Sequence, residues 1–183
     1  MSLVGVFSRI AKANKMLGFV LRNTKLFSSV RCMSMLYSSL IRSGLEYASV
    51  IWSPTYLTHV NRIEKVQKKF VKTLCYRNNI DYKNSDFSHL LLYFGLPSLQ
   101  KRRRYFDIML TFKILSFVIN CSSLVSLFLI NVPSRSLRHY TFLHLNYHRT
   151  NYGQHSSVSR MIKNFNYIYT LKPKEWNERS YKK

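Results

Sequence analysis

The chain has 183 residues, enough for one domain with or without an irregular extension. Its 46% hydrophobic content excludes wholesale disorder. Against 29 Lys and Arg stand only 7 Asp and Glu, a net charge of +22. Such an imbalance repels itself in the compact state and points to a polyanionic partner, either nucleic acid or an anionic membrane surface.

In chain order, the apolar run before Arg9 is too short for a secretory signal. An opening helix is expected over Val6–Leu21, with Phe7, Ile10, Leu17 and Leu21 near one face. Ser28 or Ser29 suits the cap of a second helix reaching Ile41. Ser43-Gly44 should interrupt it, leaving Leu45–Ile51 as a short second piece before Pro54. Tyr56–Tyr76 has the clearest amphipathic pattern: Val60, Ile63, Val66, Phe70, Val71 and Leu74 share an arc of roughly 140° at helical periodicity. Gln67 falls inside that arc, so its amide requires a buried partner.

After a polar turn, Asp86 suits the cap of a short helix stopped by Gly95 and Pro97. Ser98 is placed to cap a long helix reaching Ile119, and Ser122 or Ser123 a further one reaching Ile130. Beyond Pro133 the chain is rich in Tyr, His, Asn, Ser and Arg, and reads as a basic, loosely structured extension with Lys172–Lys183 frayed. The expected class is mainly α: a helical domain over 1–132 and a C-terminal extension over 133–183. Leu36, Leu40, Ile63, Val66, Phe70 and Ile114 are expected to share one interior.

Ile114–Val132 carries no charge and approaches the about 20 residues that a membrane span requires. Asn120, Ser122 and Ser123 interrupt its centre, where polar burial is most costly, so two helices joined by a turn fit better than a span. The three cysteines, Cys32, Cys75 and Cys121, are odd in number and far apart, which suits a reducing, intracellular compartment rather than a disulfide framework.

Chemistry is hard to build from these residues. Two-metal phosphoryl transfer needs carboxylates converging on ions about 4 Å apart, and Glu46, Glu64, Asp81, Asp86, Asp107, Glu175 and Glu178 are scattered. Asp107 follows Arg103 at the spacing of a helical ion pair. His144 and His148 have an i, i+4 spacing but no companion Glu or Cys of a zinc motif. No catalytic residue, metal ligand or cofactor is therefore assigned.

The basic faces remain. Arg62, Lys65, Lys68, Lys69 and Lys72 lie opposite the apolar arc of their helix, and Lys101, Arg102, Arg103 and Arg104 form a second cluster. Lysines on a helix are ordinarily a solvated face. Here only Glu64 interrupts the stripe, whereas solvated helices alternate signs, so the two clusters are assigned to nucleic-acid backbone.

Leu36–Pro54, LYSSLIRSGLEYASVIWSP, followed by IEKVQKKF at Ile63–Phe70, resembles the segment after the polymerase core in reverse transcriptases of non-LTR retrotransposons, the jockey-like family. That family carries an LY-x-SL-(I/V)R-x-x-LEYAS-x-(I/V)WSP run and then IE-x-VQ-x-(K/R)F. Further blocks resemble it in the same order. They are Ala13 with Leu17-Gly18-Phe19 and Arg22, then Gly95–Leu99 with Arg102, Arg103 and Asp107, and finally Arg149–Tyr152 with Arg160 and Asn164. The resemblance implies a helical thumb and the part after it, in an RNA-directed DNA polymerase whose palm binds the catalytic metals through a Y-x-D-D box. No such box occurs in this chain. The expected role is thus non-catalytic: sequence-nonspecific grip on a template–primer, alongside a palm if one is joined to it, in cytoplasm or nucleus. The alternatives are a degenerate remnant of such an element without a selected function, and a basic membrane-associated protein.

Overall fold

Val6, Ile10, Ala13, Leu17 and Val20 recur at the three- and four-residue spacing of one helix face, and α1 (Leu3–Asn23) turns that face inward. The computed structural model describes residues 3–27, 29–81, 86–132, 135 and 141–171. The chain is mainly α-helical, as expected, and divides into two compact units, Met1–Arg103 and Arg104–Lys183. The division thus falls inside a helix, whereas the sequence suggested a boundary after Val132. The reading of Lys172–Lys183 lies outside the described residues.

In the first unit, Ser29 accepts a hydrogen bond from the Cys32 amide and starts α2 (Val30–Leu36). Ser43-Gly44 does not interrupt the helical path beyond it. The chain widens into a π-helix at Tyr37–Arg42 and tightens again into α3 (Ser43–Glu46). The real break comes at Ala48, which takes a left-handed φ of 50° before α4 (Ser49–Trp52). The Trp52 indole donates to the Tyr47 carbonyl at 2.7 Å and fixes that corner, and the Arg9 guanidinium lies 4.9 Å over the indole ring.

The long helix α5 (Leu57–Arg77) runs parallel to α1. Phe7 meets His59 edge-on at 5.7 Å, Asn14 accepts from Lys69 at 3.2 Å, and Arg77 donates to the Leu21 and Thr24 carbonyls at 2.9 and 2.7 Å. The partners ascend together along both helices. Arg77 thereby satisfies carbonyls that the end of α1 leaves without an intrahelical donor. Asp86 accepts from the Ser88 amide and caps α6 (Phe87–Tyr93), which Gly95 ends at a φ of 62°.

The interior of this unit contains Met33, Tyr37, Ile41, Leu45, Ile63, Val66, Phe70, Leu74 and Leu99. Tyr37 stacks on Phe70, with ring centroids 4.3 Å apart and planes inclined by 9°. Burial pushes the Tyr37 hydroxyl well above its ordinary pKa, so it remains a donor, and it donates to Gln67 Oε1 at 3.3 Å. Gln67 Nε2 in turn donates to the Pro97 carbonyl at 3.1 Å. The buried amide thus finds both partners. Gln67→Leu is expected to cost about 1–3 kcal/mol in urea unfolding, because it leaves the Tyr37 hydroxyl and the Pro97 carbonyl unmatched inside the core. An unchanged midpoint would show that the bridge contributes nothing.

Two residues expected in a common interior are placed otherwise. Leu40 is 44% exposed, because the wider π turn rotates it away from the face that holds Tyr37 and Ile41. Ile114 is buried within the second unit. All three cysteines are free thiols: Cys75 is a small buried hydrophobe, its thiol pushed up by burial, while Cys32 and Cys121 are half-buried.

Helix α7 (Leu99–Leu115) starts in the first unit and continues into the second. Ser98 accepts from the Lys101 amide at its start. It ends at Leu115 rather than Ile119, since Phe117 adopts a left-handed φ of 57°. Only one turn, α8 (Ser122–Val125), forms in the next segment, and Cys121 rather than a serine precedes it. No described helix is long and apolar enough to cross a membrane.

The expected loose extension contains a regular helix. After the single turn α9 (Asn151–Gln154), α10 (Ser157–Leu171) buries Ser159, Met161 and Ile162. Its Asn166 amide pairs with the backbone of Leu143 in both directions, at 2.9 and 2.8 Å. On its other side the segment around Leu143 bridges the chain at Ile130, through Asn131 N to Phe142 O at 2.9 Å and His144 N to Leu129 O at 2.8 Å. Gly153 permits a close approach: a Cβ there would meet His148 Cβ at 2.8 Å.

Candidate nucleic-acid interface

An α5 that buries Val60, Ile63, Val66, Phe70, Val71 and Leu74 must present the opposite arc to solvent. That arc carries Arg62, Lys65, Lys68, Lys69 and Lys72, all exposed. From Arg62 to Lys72 the row extends about 15 Å at 1.5 Å per residue. Its members are positioned rather than loose. Arg62 lies 5.0 Å over the Phe7 ring, Lys68 lies 4.9 Å over Phe87, and Lys69 donates to Asn14.

Glu64 and Glu46 are turned elsewhere. Glu64 Oε1 accepts from the Gln100 amide at 2.7 Å, closing the start of α7, so the one carboxylate within the stripe faces away from it. Glu46 accepts from Arg102 Nη2 at 2.9 Å, accepts also from Arg102 Nε, and lies 3.8 Å from Arg42. Among the described residues no ion pair joins an acid to Arg62, Lys65, Lys68 or Lys69.

The second cluster is only partly available. Lys101 and Arg104 are exposed. Arg102 is half-buried against Glu46, whose hydrogen bonds push the guanidinium pKa further up, and Arg103 is 3% exposed. Arg103 is therefore removed from the expected contact set because it is turned into the protein, and Arg102, its side chain 30% exposed, is engaged by Glu46. Two cations that sequence reasoning passed over extend the α5 surface: Lys15 and Arg22 are exposed on α1, on the solvent side of the seam marked by Phe7 and Asn14. Their signal was the continuation of the Asn14 and Gly18 face at helical spacing.

The blocks singled out in the sequence supply architecture. Ile63, Val66, Gln67 and Phe70 fill or bridge the core, Glu64 caps, and Glu46 clamps Arg102. In the second unit, Asp107 accepts from Arg160 Nε at 3.0 Å and from Asn164 Nδ2 at 2.9 Å. Its 2% exposed side chain serves an internal ion pair. His144 and His148 lie on irregular chain, so their spacing does not align them, and no group of three metal-binding side chains occurs among the described residues.

Comparison with known protein families, curated proteins and solved structures finds no match to this chain. What the site offers chemically is an array of fixed positive charge.

Proposed function

We propose that this chain is the thumb and C-terminal part of a jockey-like non-LTR retrotransposon reverse transcriptase, and that it holds nucleic-acid backbone without performing catalysis itself. The ordered sequence blocks support the family. The exposed α5 row, with Glu64 and Glu46 engaged elsewhere, supports the grip and is the observation that carries it. A lysine-rich helix face of this kind favours shape and phosphate over sequence.

Affinity for duplex is expected to fall steeply with salt, by a slope of about −0.9 in log K against log salt for each phosphate contact. Replacing Lys65, Lys69 and Lys72 together with Ser should reduce that slope by about 2–3 units. Folding should be retained, because all three are exposed. The control replaces Lys172, Lys174 and Lys182, which removes the same charge elsewhere in the sequence. Equal losses from both triple variants would reduce the interaction to bulk attraction and overturn the α5 assignment.

A further inference from the structure

On the side of the first unit formed by α2, the π-helix and the turn after α6 lies an open groove of about 690 Å³. Arg31, Ser34, Met35 and Arg42 line one wall, and Tyr93 and Phe94 the other. None of the α5 cations contributes to it. We propose that this groove is a second binding site, which takes single-stranded polynucleotide. The proposal shares with the α5 reading only the class of partner.

Charge gives the first reason. Among the described residues the groove's lining has two arginines and no acid. They lie eleven residues apart on one helical stretch, more than two turns, so they address different phosphates of one strand. Arg31 is exposed, whereas Arg42 is half-buried and steadied by Glu46 at 3.8 Å.

The aromatic wall gives the second. Tyr93 is 66% exposed, held edge-on by Phe94 at 5.1 Å and 89°, and Met35 opposite is 64% exposed. A steadied aromatic face beside phosphate-binding arginines is the arrangement on which unstacked bases settle. A duplex keeps its base faces covered and cannot use it. An acidic peptide would use the arginines but not the ring.

Fluorescence anisotropy of the full chain with a short oligothymidylate, an oligouridylate and a duplex tests this directly. Both single strands should bind, since neither arginine nor ring selects the sugar. Tyr93→Ala should weaken both single-strand complexes by about 5- to 100-fold, the loss of one stacked base, and leave the duplex complex unchanged. Arg31→Ser should lower the single-strand salt slope by about 0.7. Both residues are exposed, so the variants should fold, and circular dichroism checks that they do.

Single-strand affinity that withstands Tyr93→Ala and Arg31→Ser would overturn the groove while leaving the α5 reading intact. Equal displacement by oligoglutamate of matched charge would also overturn it, since no base would then be read. If Tyr93→Ala acts as expected while the Lys65, Lys69 and Lys72 variant still holds duplex, the groove stands and the α5 reading fails.

Discussion

Phe70→Ala is expected to lower stability by about 3–5 kcal/mol, a large share of the roughly 5–15 kcal/mol that holds a domain folded. Phe70 is fully buried on α5, and its ring is stacked against Tyr37 of the π-helix. Truncation therefore removes both the transfer free energy of the ring and the aromatic contact, and opens a cavity between two long helical stretches. Tyr37 cannot collapse into that space freely, because its hydroxyl is tied to Gln67. Leu40→Ala is the internal control: partly exposed on the same π-helix, it should cost well under half as much. Urea unfolding followed by circular dichroism measures both. A Phe70→Ala variant as stable as the parent would place α5 wrongly.

Arg160→Leu is the second large effect, about 3–5 kcal/mol, expressed in the second unit. Asp107 is almost wholly buried on α7, and Arg160 and Asn164 reach it from successive turns of α10. The cost comes less from the lost attraction than from the carboxylate left in a poorly solvating interior without its guanidinium. The double variant Asp107→Leu/Arg160→Leu removes both charges and should recover much of the stability. Limited proteolysis of the α10 region and urea unfolding report the two variants. Equal stability of Arg160→Leu and the parent would show that the pair contributes no net stabilisation.

Periodicity made the first unit legible. The apolar rows of α1 and α5 needed no information beyond their own spacing, and the caps at Ser29, Asp86 and Ser98 arise from side-chain oxygens placed before those rows. The π-helix was not legible, because a Ser-Gly pair looks like a stop and nothing local signals a wider turn. Partners distant in sequence were hidden for a related reason. Arg102 looked free until Glu46, 56 residues away, was seen to hold it, and Gln67 acquired partners only once Tyr37 and Pro97 were packed around it. In α10 the signal existed but was overlooked: Val158, Met161, Ile162 and Phe165 keep helical spacing among tyrosines and asparagines. Those asparagines read as loop composition, yet Asn164 and Asn166 turn inward to Asp107 and Leu143.

The placement of the few carboxylates has a thermodynamic consequence. Glu46, Glu64, Asp86 and Asp107 each answer an internal donor, so they stabilise local structure and leave most of the surface charge uncompensated. A surface of this kind works against its own compaction at low ionic strength. Whatever anion settles on it in the folded state then becomes part of the folding equilibrium. By mass action, a polyanion at a hundred times its dissociation constant adds about 2.7 kcal/mol to stability, comparable to a well-packed core side chain. With the proposed polyanionic partner, occupancy and foldedness would be one coupled quantity, and the partner would supply the negative charge that the sequence withholds.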